Sequence, residues 1–417
     1  MILDRTKAPE ATTISKPSFP NFDTELINDV EVTILKHHAQ PIVFLELVFD
    51  TGKVMDKVPE QSHLTAKLLT GGTKSKSAET IAETLDFYGS HLEISASFDK
   101  FNIKLYSLKK FFPSLLVLLE DLLHHSDFSN KELAIQKSIR EQQLRQQESK
   151  NNAIASRLFR ANLFRDHPYG AYPTISDIQN LTREHLHDFF NEKLQTLPRI
   201  YLTGDIDDDL IESVTCLFKG RKKLSTVKAA LETGQLFNIY EDKKDAVQTS
   251  LRLGLRSINR SHSDYNYLKI TNDLLGGYFG SRLMKNIREE KGLTYGISSS
   301  INHLQQASYL IIGSDILKEK RDLAISEIEK EIKILQTEEV TIEELDALKN
   351  YLRGKLLSAF DSPFSSAQMI KTVVEWGIGS QAWQSYFDAI DTITPNNVME
   401  MANKYLEIEK INRVMVG

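Results

Sequence analysis

The order of secondary-structure signals along this chain is written twice, and that repetition restricts the fold more than any single motif. The first series opens with strand-like Glu31–Lys36 and Ile42–Phe49, whose β-branched and aromatic content favours pleated, half-buried surfaces. Helical patterns over about 60–71 and 77–88 follow, then alternating strands near 91–97 and 101–107, and helices over about 110–125 and onward from Ser129. Arg199–Asp205 reads as a strand entering a turn, and Asp207–Lys219 as a closing helix. After 220–236, which has no periodic apolar pattern, the series resumes with a strand over 248–255 and helices over 263–275 and 281–291. Strands over 295–301 and 307–315 and further helices complete it. Ser129-Asn-Lys-Glu132 and Thr341-Ile-Glu-Glu344 have the form of reciprocal capping boxes. Ser362-Pro363 and Thr394-Pro395 place proline at a first helical position. Strands followed by helices, twice over, predict an α+β protein of two similar domains, each a mostly antiparallel sheet packed against helices. The expected boundaries are 1–219, a linker over 220–236, and 237–417.

A chain of 417 residues suits two cores rather than one. With 41% hydrophobic and 26% charged residues the composition is that of a soluble globular protein. A net charge of -6 argues against a nucleic-acid partner, which would call for a basic face. The short run Lys219, Arg221, Lys222 and Lys223 reads as solvated linker. Cys216 is alone, so no internal disulfide forms, in keeping with a reducing compartment. No apolar run approaches the roughly 18 residues of a membrane span, and Met1–Lys7 lacks the pattern of a secretory leader. These features predict a cytoplasmic protein with no membrane partner; a leader outside this sequence would instead place it in the periplasm.

Most histidines suggest no metal site. His185 and His187 are two apart on a helix and fall on different faces, and His37-His38 and His124-His125 sit near element ends. Asp205–Asp209 mimics a calcium loop but has Leu210 at the glycine bend and Cys216 at the bidentate glutamate.

One stretch is more informative: Glu60-Gln-Ser-His63-Leu-Thr-Ala66-Lys67, running into Gly71-Gly72-Thr73. It resembles the zinc helix of the insulinase/pitrilysin peptidases, the group that contains mitochondrial processing peptidase. That helix carries H-x-x-E-H, two histidines on one face that bind the metal and a glutamate that activates water. Laid on this chain, the first histidine is His63, the glutamate becomes Ala66 and the second histidine becomes Lys67. The family's third ligand, a glutamate on a later helix, falls on Gln143; neighbouring Glu141 is out of register. A catalytic zinc needs three protein ligands and an open position. The resemblance therefore implies no metal bound by this chain and no intact catalytic set.

A second stretch keeps the family pattern: Gly276-Gly277-Tyr-Phe-Gly280-Ser-Arg-Leu, then Arg288-Glu-Glu-Lys-Gly292-Leu-Thr-Tyr295. In active relatives the arginine and tyrosine at these positions hold substrate backbone across a chamber. The resemblance thus implies substrate binding by Arg288 and Tyr295, with Gly276, Gly277 and Gly280 giving an approachable backbone. Read without it, Arg288 pairs with nearby glutamates and Tyr295 is a core residue opening a strand.

Together the two stretches imply a non-catalytic subunit of a heterodimeric zinc endopeptidase. The zinc is expected on a homologous partner subunit, the substrates are unfolded or extended peptides, and the chain in isolation could form a homodimer. The alternatives are a scaffolding protein or a stand-alone peptide-binding protein of the same fold.

Overall fold

The computed structural model describes residues 18–225, 229–232 and 235–417. Met1–Lys7, read above for a leader, and positions 226–228 and 233–234 of the expected linker lie outside the described residues. Two sheets form. The first contains β1 (Asp23–Ile27), β2 (Val30–Lys36), β3 (Ile42–Phe49), β4 (His91–Ala96), β5 (Phe101–Leu108) and β6 (Arg199–Gly204) in the order β1-β2-β6-β3-β5-β4. The second contains β7 (Asn238–Glu241), β8 (Gln248–Ser257), β9 (Ile297–Leu304), β10 (Ala307–Leu317) and β11 (Asn412–Val416) in the order β7-β11-β8-β10-β9. Each sheet has one parallel pair, β2 with β6 and β7 with β11, and is otherwise antiparallel. The two-domain α+β architecture expected from the repeated series is thus the observed one. Among the described residues no helix is long and apolar enough to cross a membrane.

One face of each sheet packs against helices of its own half. Val43, Leu45, Leu47 and Phe49 of β3 point into the first core with Leu64, Leu68 and Leu115. Leu251, Leu253 and Leu255 of β8 point into the second with Ile328 and Leu348.

The opposite faces are closed by exchange. Helix Pro363–Glu375, from the second half, lies across the first sheet, with Phe364 packed edge-on to Phe44 and Tyr106. Its Lys371 donates to Glu46 Oε1 at 2.5 Å and Asn102 Oδ1 at 3.0 Å, and Gln368 donates to Glu46 Oε2 at 3.2 Å. Helix Asn151–Phe164, from the first half, covers β8 and β11 in return. Its Ile154, Phe159 and Leu163 share a core with Val414 and Val416. β3 is therefore buried on both faces, not half-buried as its composition suggested.

A small hydrogen-bonded knot also joins the halves. Tyr169 donates to Asp99 Oδ1 at 2.6 Å, and the backbone N–H groups of Gln305 and Gln306 donate to Asp99 Oδ2 and the Tyr169 oxygen at 3.0 and 3.2 Å. Gly204 is required where the first sheet ends, because its φ is +124° and a Cβ there would lie 2.0 Å from the Ile42 carbonyl oxygen.

The capping boxes form by half. Ser129 and Thr341 accept from the backbone N–H groups of Glu132 and Glu344 as expected. Neither is a reciprocal box, and at the second the reason is plain. The Glu344 carboxylate is held by Arg282 through two hydrogen bonds of 2.9 and 2.8 Å.

Candidate functional site

His63 lies on helix Gln61–Leu68, which packs against helix Asn130–Ser149 and beside the edge strand β4. The helix starts unusually. Glu60, at its N-cap, has φ +71° and commits its carboxylate to a bidentate pair with Arg140 at 2.6 and 2.9 Å rather than to a capping bond. Asp56 supplies the missing cap, accepting from Ser62 N at 2.9 Å and Ser62 Oγ at 3.1 Å.

The pocket around His63 is set for neutrality in the imidazole and positive charge around it. Burial pushes the His63 pKa down to about 4. Glu60, 4.0 Å from Nε2, opposes this, and Arg140, Lys53 and Lys67 reinforce it. Ala66 is buried in the core with its methyl group, and Lys67 and Gln143 are exposed. Gln143 sits three residues beyond Arg140 and so shares its helix face. Glu141 instead accepts from Gln179 at 3.3 Å. A divalent cation does not fit these residues: one imidazole, one carboxylate already committed to a guanidinium, and an ammonium and an amide at the other ligand positions. Among the described residues no group of three or more histidine, cysteine, aspartate or glutamate side chains could hold a metal ion.

Burial also raises the Asp56 carboxyl to about 7, against the helix-capping bonds that lower it. Between its ordinary value of 3.8 and about 7 the folded chain keeps a proton that the unfolded chain has released. This group's contribution to stability therefore falls as pH rises through that window. Asp56→Asn is expected to gain on the wild type between pH 4 and pH 7, by about 1.4 kcal/mol per pH unit at the steepest, read from urea midpoints at each pH. A constant difference across that range would show that burial does not hold the proton there.

The second stretch spans helical segment Met284–Glu290, carrying Arg288, and the loop before β9, carrying Tyr295. Neither bland expectation for these residues matches the structure. Tyr295 is 93% exposed and precedes the strand, so it is no core residue. Arg288 lies 4.9 Å from the centre of the exposed Phe279 ring and forms no ion pair among the described residues. The glycines have packing explanations. A Cβ on Gly276 would meet Ser299 at 2.7 Å and one on Gly277 would meet Asp273 Oδ1 at 2.3 Å, while Gly280 abuts the Tyr278 ring. Arg282, passed over in the sequence, is the structural arginine of this stretch through its pair with Glu344. The calcium-like stretch is also explained, since Asp205 pairs with His38 and Lys109 and Asp207 caps the next helix.

The fold and the two stretches define a two-domain protein of zinc-peptidase build. The chain belongs to the insulinase family, peptidase family M16. The model described as Insulinase (Peptidase family M16) matches residues 32–174, and that described as Peptidase M16 inactive domain matches 180–352, together about three quarters of the chain. It is 26% identical over 313 residues to the uncharacterized zinc protease YmxG of Bacillus subtilis, covering 72% of this chain and 74% of the relative. An uncharacterized zinc protease of Rickettsia felis is 25% identical over 390 residues, covering 89% and 92%. The probable inactive metalloprotease YmfF of B. subtilis is 24% identical over 208 residues, 47% of each chain. Among solved structures, a peptidase M16 inactive domain from Pseudomonas fluorescens superposes with a TM-score of 0.85 at 23% identity, covering 95% of this chain and 98% of that one. A protease from Helicobacter pylori gives 0.84 at 18%, covering 95% and 100%. The chain is a family member whose residues 180–352 match the domain described as inactive.

Proposed function

We propose that this chain is the non-catalytic subunit of a zinc endopeptidase formed with a homologous, zinc-bearing chain. It would supply Arg288 and Tyr295 to the partner's site and help to hold an extended peptide there. The exposure of Tyr295, on the same stretch as an arginine that forms no ion pair among the described residues, carries the reading. A solvent-facing tyrosine adds little to the core, and the guanidinium, which meets only the exposed Phe279 ring, keeps its N–H donors available; both side chains are donors suited to a peptide carbonyl oxygen. The edge strands β4 and β9 offer unpaired backbone on which such a peptide can lie as an added strand. Zinc on the partner would supply the activated water; the role left to this chain is to bind, orient and stabilise charge on the carbonyl oxygen.

The test is a peptidase assay of this chain alone, of a zinc-bearing homologue from the same cell alone, and of the mixture. Activity is expected only in the mixture. Arg288→Ala should lower its kcat by about 10²–10³-fold without weakening subunit association, measured by sedimentation. Undiminished activity in the Arg288→Ala mixture would favour a scaffolding role.

A further inference from the structure

Helix Asn151–Phe164 roofs only part of the second sheet. It lies over β8 and β11, and beside it β10 and the edge strand β9 leave a polar cleft of about 440 Å³. Strand register sets Arg252, Gly313 and Ser298 in one row across the three strands, with Gly254, Ile311 and Ser300 in the next. Gly313 leaves the space that Arg252 fills, since a Cβ there would lie 3.3 Å from the guanidinium.

Two guanidinium groups reach this cleft. Arg252 donates from Nε to Ser156 Oγ at 2.9 Å and also to the Leu251 carbonyl at 2.7 Å, both neutral acceptors. Arg160 is one helical turn beyond Ser156 and so projects from the same helix face. Its guanidinium lies 4.9 Å from the centre of the Phe98 ring, and its Nε is buried with no hydrogen-bond partner among the described residues. Neither arginine forms an ion pair among the described residues. The carboxylate lining the cleft, Asp315, accepts from Ser250 at 2.5 Å. Burial lowers the pKa of both arginines, as expected for cations drawn from water without a full counter-charge. Buried charge of this kind is costly unless an anion meets it.

We infer that this cleft is a carboxylate site for an extended peptide, with Arg160 the principal ligand and Arg252 its support. The inference rests on the peptide-binding reading above and adds a preference to it. β9 is the outermost strand of its sheet, and its Ser298, Ser300 and Asn302 side chains face the cleft. A peptide paired along β9 turns every second side chain towards the same face. The carboxylate is either an aspartate or glutamate side chain on that strand or the peptide's own C-terminus, one chemistry from two sources.

Three fluorescein-labelled octapeptides of serine and valine separate these cases by fluorescence anisotropy with the full chain. One carries a central glutamate and an amidated end, one a central glutamine and a free C-terminus, and one a central glutamine and an amidated end. At least one carboxylate peptide should bind about tenfold more tightly than the neutral one, equivalent to 1.4 kcal/mol, and which one identifies the source. Arg160→Gln should abolish that preference while binding the neutral peptide as before, which also reports that the variant is folded. Arg160→Lys should keep part of it. Equal binding of all three peptides by the wild type, or a preference that survives Arg160→Gln, overturns the carboxylate site and leaves peptide binding standing. Failure of all three to bind overturns both.

Discussion

Lys67→His combined with Gln143→Glu is expected to yield a chain that keeps about one zinc ion through gel filtration, whereas the wild type keeps none. With His63 the two substitutions complete three protein ligands, enough for a tetrahedral site with one open position. The helices that carry them already pack together. Affinity should rise by on the order of 10³-fold, about 4 kcal/mol, measured by competition with a chromogenic chelator. Lys67→His alone should stay empty, because Glu141 is turned to Gln179. Ala66→Glu is unnecessary for binding and would place a carboxylate in the core that Ala66 now helps to fill. A folded double variant that binds no zinc would mean that Gln143 is not the third ligand position.

The second large effect lies between the halves. Glu46 is 1% exposed and its charge is met by Lys371. Glu46→Ala should destabilise the chain by about 3–5 kcal/mol, since it strands a largely buried ammonium. Glu46→Met with Lys371→Met should restore most of the loss, because the pair's attraction only offsets its desolvation. Guanidinium unfolding of the wild type, Glu46→Met, Lys371→Met and the double Met variant completes the cycle. Near-additive losses would show that the two side chains do not depend on each other.

Much of this architecture was legible in the sequence because it is local. Period-2 strands, proline-started helices such as Pro363–Glu375, and the Ser129 and Thr341 caps all follow from neighbouring residues. The placing of His63, Ala66 and Lys67 on one helix was also readable, since it is a matter of spacing along a single element. Long-range partners were not readable. Short β7 and β11 owe their existence to strands elsewhere in the chain, and β11 lies inside its sheet although it is the last element. Nothing near Glu344 announces Arg282, 62 residues earlier. The apolar stripe of helix Asn151–Phe164 would look the same whichever sheet it covered. The charge reversal around His63 was visible only at Lys67; Lys53 and Arg140 reach it through folding.

The exchanged helices also set a schedule for biosynthesis. The first sheet has all its strands once Gly204 has left the ribosome, yet Phe44 and Glu46 wait for a covering that ends at Glu375. At 5–20 residues per second that interval is on the order of ten to thirty seconds. Throughout it the nascent chain displays an apolar strand with a carboxylate in its middle, a surface that chaperones can recognise and that Glu46 itself keeps from being wholly adhesive.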